Sequence, residues 1–405
     1  MTSVDTVSDD VSDYETDAGA YPFYAHLQEH RPVFWSDRLQ RWCLTRYADV
    51  QAAYRDPHTY SSRTFATRGA GTVLDDPARD RVVDTFDRQI LFLDRPDHTR
   101  LRRLVSYAFT PRAVESIRTY TGELATELLD GLRRRDFDFV QAFAGPLPLR
   151  VVSRIFGIAV EDGDLYRAWS DSLTLLTESG RSAEDLLAAF RDVDEMRDYL
   201  TTLVEARRGA PGDDLLSRMI EADADGDRFR TDEIVAMAML ITTAGHETTT
   251  SLLVNALRLL LPEPEWAGRL AADAGFRRSA LEETLRWEPP LQFSTRVTTA
   301  EVEVHGTRIP AGAPVALVPA AANRDPRTFA HADRFDPERN PNPHLTFGHG
   351  AHACLGANLA RLEADVVVGL LAREHPGLRV GGLAVRKASP LFRGFESVEA
   401  GWGAR

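Results

Sequence analysis

The stretch Phe347-Gly348-His349-Gly350-Ala351-His352-Ala353-Cys354-Leu355-Gly356 decides how the rest of the chain is read. Behind it, Leu355, Leu359, Leu362, Val366 and Leu370 recur at spacings of three and four, which marks one buried helical face and predicts Cys354 at a helix start. A free thiol titrates near a pKa of about 8.5, and the positive end of a helix favours the thiolate, the form that binds metal. Gly348 and Gly350 let the backbone pass close to a flat ligand. Two other readings compete. A cysteine can be no more than a small buried hydrophobe, and His349, His352 and Cys354 could be taken for zinc ligands. A structural zinc site also needs a fourth ligand and a second, separated pair, and neither is apparent. The glycines miss the dinucleotide fingerprint too, because Gly356 comes too late and no strand-helix-strand unit surrounds them.

Upstream, Thr231 to Leu260 has a helical pattern, with Thr231 read as its N-cap and Asp232 and Glu233 complementing the positive end. Between Ile234 and Leu257 the only formal charge is Glu247, so this is a core helix whose polar interruption needs a reason. The interruption, Ala244-Gly245-His246-Glu247-Thr248-Thr249-Thr250, joins a glycine to three mediocre helix formers, and local distortion is expected. A zinc-protease helix is ruled out, since that motif needs histidine where Thr250 stands. Taken alone, the segment could be a structural kink with a paired Glu247.

Next come Glu283 and Arg286, one helical turn apart in a helix stopped by Pro289-Pro290, and then Phe335-Asp336-Pro337-Glu338-Arg339. This order of segments, from about Tyr21 onward, resembles the cytochrome P-450 family of haem-thiolate monooxygenases, with its A-G-x-E-T, E-x-x-R, F-x-P-x-R and F-G-x-G-x-H-x-C-x-G motifs. The resemblance implies a mainly α fold with small β-sheets, in which haem b (iron protoporphyrin IX) lies between the long helix and the cysteine loop. It makes Cys354 the iron ligand, within a loop that includes Phe347, Gly348 and Gly356. Ala244 and Gly245 would leave room for dioxygen, Glu247 and Thr248 would deliver protons, and Glu283, Arg286 and Arg339 would form a structural network. For the haem propionates it nominates His98, Arg102, Arg296 and His352. For the substrate pocket it nominates Leu240, Leu291, Gln292, Phe293 and Phe392, with the segments 62–92 and 165–190 around them.

The implied activity is hydroxylation or epoxidation of a small apolar organic molecule, free or carrier-protein-bound, in bacterial secondary metabolism (a macrolide, polyketide, peptide or terpenoid). Oxidative coupling or rearrangement without net oxygen insertion is the alternative, weakened by the intact Glu247-Thr248 pair, and a non-catalytic haem protein comes third. No flavin or iron-sulfur pattern is present, so a ferredoxin and its reductase are the expected electron donors, docking near Arg103 and Arg361.

Composition agrees with this reading. With 43% hydrophobic and 27% charged residues the 405-residue chain can build a substantial core, and its net charge of -13 opposes broad nucleic-acid binding. Cys43 and Cys354 form no disulfide framework, and the first twenty residues carry six acids and no base, read as a disordered acidic tail (1–20) rather than a secretion signal. The apolar run Ile234 to Gly245 is short of the ~18 residues that suggest a membrane span. A cytoplasmic monomer with one catalytic domain over 21–405 and no membrane anchor is the expectation. Four or five helices are predicted between Arg112 and Arg208, strands at Val33–Leu44, Thr295–Val304, Thr307–Ile309 and Val315–Val318, and little regular structure at Ser62–Asp87.

Overall fold

The computed structural model describes residues 21–64, 76–108, 110–132, 136–176, 181–224 and 226–402. The acidic tail 1–20 and part of the irregular stretch after Ser62 therefore lie outside the described residues. Helices α1 (Tyr21–His30) and α2 (Tyr47–Arg55) flank the first hairpin, and α3 (Pro77–Asp87), α4 (Asp97–Ala108), α5 (Pro111–Glu115) and α6 (Arg118–Asp130) follow. Then come α7 (Pro146–Phe156), α8 (Gly163–Leu175), α9 (Ala183–Gly209) and α10 (Leu215–Glu221). The long helix α11 (Thr231–Leu260) leads into α12 (Pro264–Ala272), α13 (Ala274–Trp287), the short α14 (Pro319–Ala322) and α15 (Ala357–Glu374). The α-helices that begin between Pro111 and Ala183 match the four or five expected there. Pro77–Asp87 corrects the irregular reading: Asp76 caps it by accepting from Ala78 N–H, and Pro77 opens the helix.

One sheet has the order β1-β2-β10-β7-β3, from β1 (Val33–Ser36), β2 (Arg41–Leu44), β3 (Tyr60–Ser61), β7 (Ser294–Thr298) and β10 (Pro314–Leu317). The expected late strands are thus present, with β8 (Val302–Val304) and β9 (Thr307–Ile309) as a separate hairpin. Sequence reading missed the longest pair, β11 (Leu378–Arg386) and β12 (Phe395–Trp402), with β4 (Phe137–Asp138) on the edge of β12. Gly381-Gly382 and a register shift between Val380 and Ala384 break the alternation that would have marked β11. A two-residue hairpin, β5 (Asp223–Ala224) and β6 (Asp227–Arg228), precedes α11.

Two large apolar cores meet along α11. Its N-terminal half (Ile234, Val235, Met237, Ala238, Met239) packs with α4, α7, α8 and α9, and its C-terminal half (Leu252 to Leu260) packs with α6, α13 and α15. Each fully buried Leu, Ile or Met contributes roughly 1.5–3 kcal/mol, so the helix is fixed at both ends. The polar segment 244–250 falls at the seam between them. Thr231 is the first helical residue rather than the cap; the preceding Arg230 N–H is satisfied by the Glu233 carboxylate at 2.9 Å. No break occurs at the threonines: Thr242, Thr243, Thr248 and Thr250 each donate a hydroxyl hydrogen bond to the carbonyl four residues earlier, which absorbs their polarity inside a continuous helix.

Candidate active site

Cys354 is not at a helix start. It stands ahead of α15, on a loop closed by Cys354 N–H donating to Phe347 O at 2.8 Å, Gly348 N–H to Leu345 O at 2.8 Å and Ala353 N–H to Gly350 O at 3.2 Å. Gly348 and Gly350 take φ of 68° and 72°, which side chains disfavour. Gly350 also passes close to protein, since a Cβ there would lie 2.7 Å from Tyr54 O. The Cys354 residue is exposed by surface area, yet its sulfur lies in a recess. Burial pushes the thiol pKa up, against hydrogen bonds from Gly356 and Ala357 N–H and the cations of Arg102 and Arg361. The helix end therefore offsets burial without overcoming it; a bound metal would complete the deprotonation.

Three separated segments bring cations and donors to the neighbourhood of this loop. His98 and Arg102 share a face of α4, Arg296 comes from β7, and His352 from the loop itself. The His98 and His352 rings stack with centroids 3.9 Å apart. Burial, then the neighbouring His98, Arg296 and Arg102, pushes His352 down to about 3, so it is neutral near pH 7. His352 Nε2 lies 3.2 Å from Ser62 Oγ. His98 Nε2 is buried with no hydrogen-bond partner, and the Arg102 guanidinium has no hydrogen bond or ion pair among the described residues. Buried Arg296 donates to Thr295 O at 2.7 Å and lies over the Tyr54 ring, with no ion pair to a carboxylate among the described residues. Carboxylates delivered by a ligand would satisfy this set.

On α11 the face formed by Leu240, Ala244 and Thr248 is accessible while His246, Glu247, Thr249 and Thr250 are buried. Thr248 Oγ donates to Ala244 O at 2.6 Å. The Glu247 carboxylate accepts from Lys387 Nζ at 2.7 Å, a partner that no motif predicts. His246 turns the other way, with Nδ1 3.0 Å from Ser170 Oγ; burial, then Lys387 and Arg167, lowers it to about 4. Gly245 packs closely on α7, where a Cβ would stand 3.1 Å from Val152.

Glu283, Arg286 and Arg339 do come together. Both oxygens of fully buried Glu283 receive Arg286 (2.7 and 2.8 Å) and Arg339 Nε (3.1 and 3.3 Å), and they also accept from Asp336 N–H and Asn342. Arg286 continues to the carbonyls of Asn323, Ala332 and Arg334, each at 2.9 Å. Asn323 then holds Leu345 N–H at 2.7 Å and Thr346 Oγ at 2.9 Å, immediately before Phe347. The network thus reaches the root of the cysteine loop through Asn323 and Thr346, which sequence reading missed because neither belongs to a contiguous motif.

Other expected positions turn inward. Gln292 spends its amide on Tyr24, Tyr21 and Pro289 O, and Phe293 packs in the core of Tyr24, Phe34 and Cys43, so neither is free to line a pocket. Leu291 and Phe392 form an isolated β-bridge. Arg361 is held by Glu282 at 2.6 and 2.8 Å with its guanidinium over the Phe347 ring, and Arg103 donates to Ala224 O at 3.1 Å; the expected docking cations are thus already engaged. Among the described residues no group of three or more His, Cys, Asp or Glu is placed to hold a metal ion, which goes against the zinc reading. No described helix is long and apolar enough to cross a membrane.

A single thiol donor, cations and donors with unmet demand, and a small-residue helix face are what a metal macrocycle with two carboxylates requires, so these residues fit haem b. Residues 276–374 match the family model described as cytochrome P-450. Over 391 residues the chain is 38% identical to cytochrome P-450 107B1 of Saccharopolyspora erythraea, covering 94% of each. It is 36% identical over 384 residues to mycinamicin IV hydroxylase/epoxidase of Micromonospora griseorubida, covering 89% of this chain and 92% of that one. Among solved structures, the P-450 BioI in complex with hexadec-9Z-enoic acid ligated acyl carrier protein superposes with a TM-score of 0.86 at 32% identity, over 94% of this chain and 98% of that one.

Proposed function

The chain belongs to the cytochrome P-450 family and is a haem-thiolate monooxygenase, and from that premise we propose that Cys354 is its iron ligand and that Glu247 and Thr248 manage protons at its oxygen site. The observation that carries this reading is the unmet hydrogen-bonding demand of His98 and Arg102 beside the Cys354 loop. When bound, haem b would supply the oxygen-activating redox chemistry, and a Cys354 thiolate ligand would favour O–O cleavage. The protein does the rest. Gly356 and Ala357 N–H groups orient the Cys354 sulfur, while His98, Arg102, Arg296 and His352 hold the propionates. Ala244 presents only a methyl group on the accessible face of α11, Thr248 holds a proton at Oγ, and Glu247 exchanges one at its carboxylate. Leu240 and Leu291 offer apolar surface to the substrate, with buried Phe392 behind Leu291.

The mycinamicin enzyme's likeness supports a macrolide-sized apolar secondary metabolite as substrate, and the acyl-carrier complex of BioI supports testing a carrier-bound acyl chain. A ferredoxin with its reductase supplies the electrons in the cytoplasm. Residues 21–405 act as one catalytic unit, a reading supported by the two cores that share α11.

The test is oxygen tracing with haem-loaded protein, a ferredoxin, its reductase and NADPH under ¹⁸O₂, using mycinamicin IV and hexadec-9Z-enoic acid as first probes. One labelled oxygen atom in the product is expected; turnover that yields unlabelled product would overturn the insertion reading.

A further inference from the structure

Lys387 is the one lysine among the chain's 48 lysine and arginine side chains, and its ammonium lies 2.7 Å from both oxygens of the Glu247 carboxylate. The carboxylate is 6% exposed and the lysine side chain 21%, so the pair joins a buried acid to a site that solvent reaches. Every other strong cation in the chain is a guanidinium, which stays charged and recognises carboxylates with a planar fork; an ammonium is a movable point charge.

The lysine is held in place by the turn between β11 and β12. Glu288 anchors both feet of that turn, accepting from Arg386 at 3.1 Å and Arg393 at 2.9 Å. Lys387 N–H donates to Gly394 O at 3.2 Å. Successive turns of α11 dock against the same hairpin. Glu247 meets Lys387, a Cβ at Gly394 would collide with Ser251 Oγ, and Asn255 donates to Arg393 O at 3.3 Å. The other ionisable groups that act around this pair are His246 on α11 and Arg167 and Asp171 on α8.

We propose that Lys387 is the positioning residue for Glu247: it keeps the acid ionised and drawn toward the C-terminal hairpin, so that the acid reaches the oxygen site from a fixed, solvent-connected position. This rests on the acid role assigned to Glu247 above. Removing the cation disfavours the carboxylate form, and an opposite charge this close typically moves a carboxyl by about 1–3 pH units.

The experiment uses the full-length haem-loaded enzyme as wild type, Lys387→Met, Lys387→Arg and Glu247→Gln. Isotope-edited infrared spectra, differenced against Glu247→Gln, follow the Glu247 carboxyl band with pH. A second readout is the fraction of NADPH electrons lost to hydrogen peroxide, with a plant-type ferredoxin, its reductase and hexadec-9Z-enoic acid as probe. The expected result is a carboxyl midpoint about one pH unit or more higher in Lys387→Met and restored in Lys387→Arg. Productive coupling should fall about tenfold in Lys387→Met and recover in Lys387→Arg. Superimposable titrations for wild type and Lys387→Met would overturn the proposal. So would a shifted titration with unchanged peroxide in Lys387→Met while Glu247→Gln changes it. Unchanged peroxide in Glu247→Gln itself would instead remove the acid role, and this inference with it.

Discussion

All five N–H groups of the buried Arg286 guanidinium end on acceptors at 2.7–2.9 Å, whereas His98 Nε2, buried as well, ends on none. The two regions use the same vocabulary of basic side chains near the same cysteine loop. Around Glu283 the protein satisfies itself; around Cys354 it leaves donors over. A closed network signals structure, and an open one signals a ligand, because burying a polar group without a partner costs about 1–3 kcal/mol that only a bound group can return.

The largest way to break this comparison is Glu283→Ala. It strands two buried guanidiniums, and about 3–5 kcal/mol of stability should be lost. Denaturant unfolding and the yield of haem-loaded protein would show it; normal stability and loading would mean the network is not structural. Thr248→Ala should leave the fold intact but lower product formed per NADPH by about two orders of magnitude, the range for a positioned proton donor. Unchanged coupling would reduce the threonine to a helix residue with a back-bonded hydroxyl.

Smaller still, Arg296→Leu should speed haem loss to apomyoglobin-type acceptors by about tenfold or more, the worth of a charged hydrogen bond, while the apoprotein stays as stable as wild type or gains stability. An apoprotein weakened as much as by Glu283→Ala would place Arg296 among the closed network. A separate test, read only through its pH dependence, concerns Glu363, buried on α15 with Oε2 unpartnered, whose pKa burial raises to about 8. A carboxyl raised in the folded state above its ordinary 4.5 lends its full stability below pH 4.5 and loses it as pH climbs to about 8. Glu363→Gln should therefore match wild type near pH 4.5 and melt higher at pH 8; thermal scans at both values check the sign.

Contiguous motifs carried most of what could be read in advance. Cys354, Glu247, Thr248, Glu283 and Arg286 each sit in a short run that takes its meaning from the order in which the runs follow one another along the chain. What stayed hidden was long-range: Lys387 reaches Glu247 across 140 positions, and Asn323 ties the network to Leu345 from 22 away. Gln292 and Phe293 looked like pocket residues because their segment borders the site, but long-range contacts with the N-terminal helix and first hairpin engage both: Gln292 with Tyr21 and Tyr24, Phe293 with Tyr24 and Phe34. The glycine pair in β11 erased a strand, and Thr231 looked like a cap because the hydrogen bond that Arg230 N–H donates to the Glu233 carboxylate is invisible before the backbone is known.

The central claim is a bond from the Cys354 sulfur to haem iron, and the carbon monoxide difference spectrum of the reduced protein reads it directly. Wild type should give the red-shifted thiolate band for which the family is named, and Cys354→Ser should lose that band while still binding the pigment. A Cys354→Ser protein that keeps the thiolate band, or a wild type that never shows it, would contradict the account.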